Sequence, residues 1–98
     1  MTIIDRIGKA AVYEQLAEEC AELAQAAIKM SRYIRGENPP AKEPWEIVKS
    51  LTEEVTDVKI CLVCLGIEAD EEIAERKFAR WHQRLDERDF GGKSDEDL

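Results

Sequence analysis

Two stretches of this chain combine residue types that can do chemistry at a repeated spacing: LAEECAEL, residues 16–23, and LTEEVTDV, residues 51–58. Each runs from an apolar residue through two acids to a third acid three positions later, then to another apolar residue. With Leu16 and Leu51 each set at zero and about 100° per helical residue, Glu19 and Glu54 fall near 300°, and Glu22 and Asp57 near 240°. Glu18 and Glu53, near 200° on the same scale, point away from the apolar side. The inner acids therefore lie at the edge of an apolar face, the position a site between two helices requires. Folded back about a centre at residue 38, Glu19 pairs in index with Asp57 and Glu22 with Glu54, so all four carboxylates come to one level. Four like charges at one level need a cation, and an all-oxygen set suits a hard one, Mg²⁺ or Mn²⁺. The competing reading is a pair of solvated faces in which the acids find Lys and Arg partners.

The elements that must position these acids are helices. From Lys9 to Arg35 there is no Gly or Pro, and Val12, Leu16, Cys20, Leu23, Ala27, Met30 and Ile34 recur at helical spacing. Thr2 is placed to cap a short turn ending near Gly8. GENPPAKEP, residues 36–44, is a loop whose last proline opens a second helix to Leu65, with Ile47, Val48, Leu51, Val55, Val58, Leu62 and Leu65 as its apolar set and Gly66 as its stop. Asp70 caps a third long helix predicted to reach Arg88, with Ile73, Phe78, Trp81 and Leu85 as its apolar face. No stretch alternates as a strand does. The expected fold is an all-α bundle, a long antiparallel hairpin plus a third long helix, in one domain over residues 1–90, followed by an acidic tail, 91–98, expected to stay disordered.

Composition narrows the partners. The chain has 98 residues, a net charge of −8 and 37% charged residues, which excludes nucleic acid or an anionic membrane as the main partner, since both require a basic face. No run approaches the roughly 20 apolar residues of a membrane span, and the N-terminus does not read as a signal peptide, so the expected location is cytoplasmic. A domain of this size buries only about 60–65% of its unfolded surface, which makes self-association the expected way to cover the rest. Cys20, Cys61 and Cys64 read as reduced thiols. Cys61 and Cys64 form a C-x-x-C inside an apolar run with no second ligand pair, so they are expected to pack as small hydrophobes. A di-iron carboxylate bundle would need Glu-x-x-His on two helices, and the one histidine, His82, does not supply it.

The order E-E-x-x-E, then E-x-x-D after a loop, here Glu18, Glu19, Glu22, Glu54 and Asp57, resembles the signature of the MazG-like all-α nucleoside triphosphate pyrophosphohydrolases. ERKFARW, residues 75–81, is similar to the basic stretch on a later helix of that family, though Trp81 stands where a second basic residue is expected. The resemblance covers residues 12–85. It implies Mg²⁺-dependent hydrolysis of a nucleoside triphosphate between the α and β phosphates, with Glu19, Glu22, Glu54 and Asp57 as metal ligands and Lys77, Arg80 and Arg84 on phosphates. It also implies assembly as a dimer or tetramer.

Other residues fit around that expectation. Glu18 stands just outside the metal pair, as an orienting or proton-accepting group or as a solvated acid. Arg76, Arg80, Arg84 and Arg88 repeat every four residues beside Lys77, a pattern suited to clamping phosphates or to pairing with Glu72 and Glu75. Trp45, at the start of the second helix, is placed either to stack on a base or to pack. A different class of function, a non-catalytic helical module whose acidic faces pair with a partner, uses the same residues without metal or turnover.

Overall fold

The computed structural model describes residues 1–37 and 43–91. They form helices α1 (Ile3–Ile7), α2 (Lys9–Arg35), α3 (Pro44–Leu65) and α4 (Glu71–Asp86), followed by a π-helical turn, Glu87–Gly91, and there is no strand among the described residues. The middle of the proline loop and nearly all of the acidic tail lie outside the described residues.

Each boundary has a local cause. The Thr2 hydroxyl accepts from the Asp5 amide at 3.0 Å, and the Asp5 carboxylate accepts from the Thr2 amide at 2.9 Å, a reciprocal cap that starts α1. Pro44 occupies the first turn of α3, where a missing amide hydrogen costs nothing. Asp70 caps α4 by accepting from the Ile73 amide at 2.9 Å. Gly36 and Gly66 end α2 and α3 with φ of 72° and 69°, the left-handed conformation that lets each amide turn back onto the preceding helix. The third long helix, predicted to run to Arg88, leaves α-geometry at Asp86 and continues as the π turn.

The chain divides into two compact units, one from Met1 to Ile67 and one beginning at Glu68. The single domain read over residues 1–90 covers both. In the first unit α2 packs along α3, and α1 packs against both. The buried hydrophobic residues of the two long helices are Val12 and Ala26 on α2, and Ile47 and Cys61 on α3. They follow one rule. Val12, Glu19 and Ala26 are spaced by seven, as are Ile47, Glu54 and Cys61, and in an antiparallel pair the index sums of Val12 with Cys61, Glu19 with Glu54 and Ala26 with Ile47 are equal. The hairpin therefore closes along a heptad seam with two apolar layers and a carboxylate layer between them. This moves the seam from the sequence expectation. The buried phase centres near 300°, on Glu19 and Glu54 themselves, and the large residues clustered near zero, such as Ile34, stay outside it. The physical reason is that α2 meets a single helix, which covers only a narrow stripe of its apolar face.

Candidate metal centre

Glu19, Glu22, Glu54 and Asp57 each present a carboxylate oxygen such that all four lie within 4.8 Å of one another. Glu19 and Glu54 enter from the middle of the seam. Glu22 and Asp57, one turn further along their helices, approach from the same side of the hairpin, because equal angular offsets on antiparallel helices fall on the same side. The helical phase of each acid and the register of the hairpin suffice to build this cluster.

Its electrostatics are unbalanced. One oxygen of Glu19 and one of Glu54, each Oε2, are buried with no hydrogen-bond partner. The other Glu19 oxygen, Oε1, accepts from the Gln15 amide nitrogen at 2.7 Å. Among the described residues the sole ion pair is Arg88 with Asp89, so no lysine or arginine neutralises the four acids. The charges of Glu19 and then Glu54 push the Glu22 carboxyl above its usual range, with partial desolvation and hydrogen bonds to the same two carboxyls acting in the same direction. Buried carboxylate oxygens are normally satisfied, and leaving them bare costs free energy. A divalent cation would satisfy both at once, with ligands contributed by two helices. The donor set, four carboxylates and no nitrogen or sulfur within the group, fits a hard cation. The alternative of acids paired with lysine and arginine on solvated faces is not what the first unit contains.

The other sequence-derived residues fall in different places. Glu18 is exposed and outside the group of four. Trp45 is exposed and, with Glu46, Lys49, Ser50 and Glu53, lines a shallow groove on α3. Lys77, Arg80 and Arg84 belong to the second unit, where they line a groove along α4 with Trp81, Leu85 and Arg88. Pairing of the α4 cations with Glu72 or Glu75 does not occur. Cys61 is buried, Cys64 half-buried and Cys20 exposed, and all three are free thiols. Burial pushes the Cys61 thiol up, helped by the nearby charge of Glu19 and by Cys64 and Asp57. It packs as a hydrophobe on the layer next to the carboxylates, and it belongs to no ligand group. Two features went unread in the sequence: the Gln15 contact, signalled by its i, i+4 spacing to Glu19, and the buried position of the Glu19 and Glu54 oxygens, signalled by their place in the heptads Val12–Ala26 and Ile47–Cys61.

Comparison with models of protein families, with characterised proteins and with solved structures finds no match. No helix among the described residues is long and apolar enough to cross a membrane.

Proposed function

We propose that this chain is a Mg²⁺-dependent nucleoside triphosphate pyrophosphohydrolase of the MazG-like kind, acting as a homo-oligomer in the cytoplasm and removing unwanted nucleotides from the pool. The observation that carries the reading is the carboxylate layer: two helices bring four acids together without a basic partner and bury two bare oxygens at the centre. A helical module that only paired with another protein would have no use for such a layer, because an apolar pair in the same seam would hold the hairpin more firmly.

Glu19, Glu22, Glu54 and Asp57 would hold Mg²⁺ or Mn²⁺. The cation supplies charge neutralisation for phosphate oxygens and a more acidic water. The remaining work falls to the chain's own side chains. In the reaction a water oxygen forms a bond to the α phosphorus, the bond from that phosphorus to the bridging oxygen breaks, and pyrophosphate leaves with a nucleoside monophosphate as the other product. Glu18, exposed beside Glu19, is placed to accept the water's proton. Lys77, Arg80 and Arg84 carry the positive charge that phosphate oxygens require, and Trp45 offers an indole face for a base.

The test is a screen of ribo- and deoxyribonucleoside triphosphates for pyrophosphate release with Mg²⁺ or Mn²⁺, alongside thermal unfolding with metal and a non-hydrolysable nucleotide. Turnover and a ligand-dependent rise in Tm are expected. A chain that neither turns over any triphosphate nor gains stability with metal and nucleotide would exclude the reading.

A further inference from the structure

We propose that the side of the α2–α3 hairpin opposite the four carboxylates is the surface on which a second copy of this chain docks, hairpin against hairpin, as a four-helix bundle. The inference adds a location to the self-association in the reading above and needs none of its chemistry.

The argument begins with where charge is absent. Every charged residue of α2 between Ala10 and Ile34, namely Glu14, Glu18, Glu19, Glu22, Lys29 and Arg32, falls between about 160° and 300°. The other half of the helix carries no charge over nearly its whole length. That sector holds Leu16, Leu23, Ala27 and Ile34, with Ile34 74% exposed. On α3 the corresponding sector holds Val48, Val55 and Leu62, with Val48 54% and Val55 51% exposed and Lys59 as its one charge.

The two sectors form one face. Both lie on the increasing-angle side of their seams near 300°, and antiparallel helices turn equal offsets to the same side of the pair. Glu22 and Asp57, offset the other way, lie on the opposite side. In a chain with 37% charged residues, an exposed uncharged face two helices wide is an unfinished layer.

Length and area select the occupant. α2 has 27 residues, α3 has 22 and α4 has 16, or about 40, 33 and 24 Å of helix. A two-helix face needs two helices of matching length to cover it, and another hairpin of this chain supplies them. Over the length of α3, and with helices 8–10 Å apart, the face measures on the order of 600 Å² per copy. That approaches the roughly 800 Å² each partner contributes to a stable interface. The alanines of the sector, among them Ala17, Ala24 and Ala27, let a facing helix come close. Docked this way, the two carboxylate clusters face outward on opposite sides of the bundle.

The experiment measures mass and thiol protection, so its outcome is separate from pyrophosphate release. Light scattering near 100 µM should give twice the chain mass for the native protein and for Glu53→Gln, on the polar side, and a single chain mass for Ala24→Glu with helical circular dichroism retained. Cys20 lies in the uncharged sector and is exposed in the single chain, whereas Cys64 lies on the other side. Alkylation of Cys20 should slow at least fivefold as protein concentration rises through the dimerisation range, with Cys64 unchanged. This second measurement decides the matter if Ala24→Glu does not fold. A native protein of single-chain mass, a dimer that survives Ala24→Glu, or Cys20 labelling that is indifferent to concentration would overturn the proposal.

Discussion

Between α2 and α3, carboxylates are closed into the contact while Ile34, Val48 and Val55 remain in water. On α4, Phe78 and Trp81 are 63% and 64% exposed beside cations that form no ion pair. Both helical surfaces are amphipathic, yet only in the hairpin does the polar group occupy the buried stripe. A surface charge is kept in place by solvent and can be exchanged with little consequence. A charge in a seam persists only if something there compensates it, which makes the hairpin the part of this chain where acids point to a ligand. The cations of α4 lack that constraint, and their role rests on the chemistry of phosphate alone.

The comparison breaks most visibly if the seam acids are dispensable. Asp57→Asn or Glu22→Gln removes a charged ligand while preserving size, and metal-dependent pyrophosphate release should fall by two or more orders of magnitude with circular dichroism unchanged. Glu53→Gln, near 200° on α3, should leave turnover within about twofold. Equal damage from Glu53→Gln and Asp57→Asn would contradict the helical-phase assignment.

A second measurement asks whether the carboxylate layer weakens the metal-free hairpin. Replacing Glu19 and Glu54 together by Leu converts it to an apolar layer, and each well-buried leucine contributes about 1.5–3 kcal/mol. The double variant should melt well above the parent in chelator and should lose all response to Mg²⁺. The parent should also respond to acid. Because the folded state raises the Glu22 pKa, the charged form is the destabilising one, so this group's penalty is full above its raised pKa and fades as pH falls toward the ordinary 4.5. Metal-free Tm should therefore rise relative to Glu22→Gln as pH is lowered through that window. A difference between the two that did not change with pH would remove the like-charge account.

Cys61 sharpens the contrast within the seam. Cys61→Ala should cost about 1–2 kcal/mol, measured by denaturant unfolding, with turnover retained. Cys64→Ala, half-buried, should cost less, and elemental analysis should find no stoichiometric zinc. One zinc per chain would reassign both thiols. The smallest effect is expected on α4: Arg80→Gln and Arg84→Gln should shift stability by no more than about 0.5 kcal/mol. If these arginines bind phosphate, the same variants should raise KM. A large loss of stability would show that the stripe is structural.

Much of this was readable along the chain. Thr2, Gly36, Pro44, Gly66 and Asp70 mark helix ends because caps and glycine conformations act over three or four residues. The four acids could be brought together on paper because helical phase and an antiparallel register are properties of the sequence once the loop is located. The seam was less legible. Averaging every apolar residue of α2 placed its face near zero, on Leu16, Ala27 and Ile34, whereas the helix buries Val12 and Ala26. The passage into a π turn after Asp86 had no signal in residue type.

By itself, then, the sequence determined local matters: where helices begin and stop, which residues share an angular sector, and that Glu19, Glu22, Glu54 and Asp57 recur at one phase in two copies. Tertiary structure alone decided which stripe of each helix is removed from water. That choice depends on the shape of the facing helix and on an interval of seven residues between layers, not on the average hydrophobicity of a face. It left two carboxylate oxygens bare at the centre of a seam, where desolvation without a partner is costly and a divalent cation has its strongest physical reason to bind.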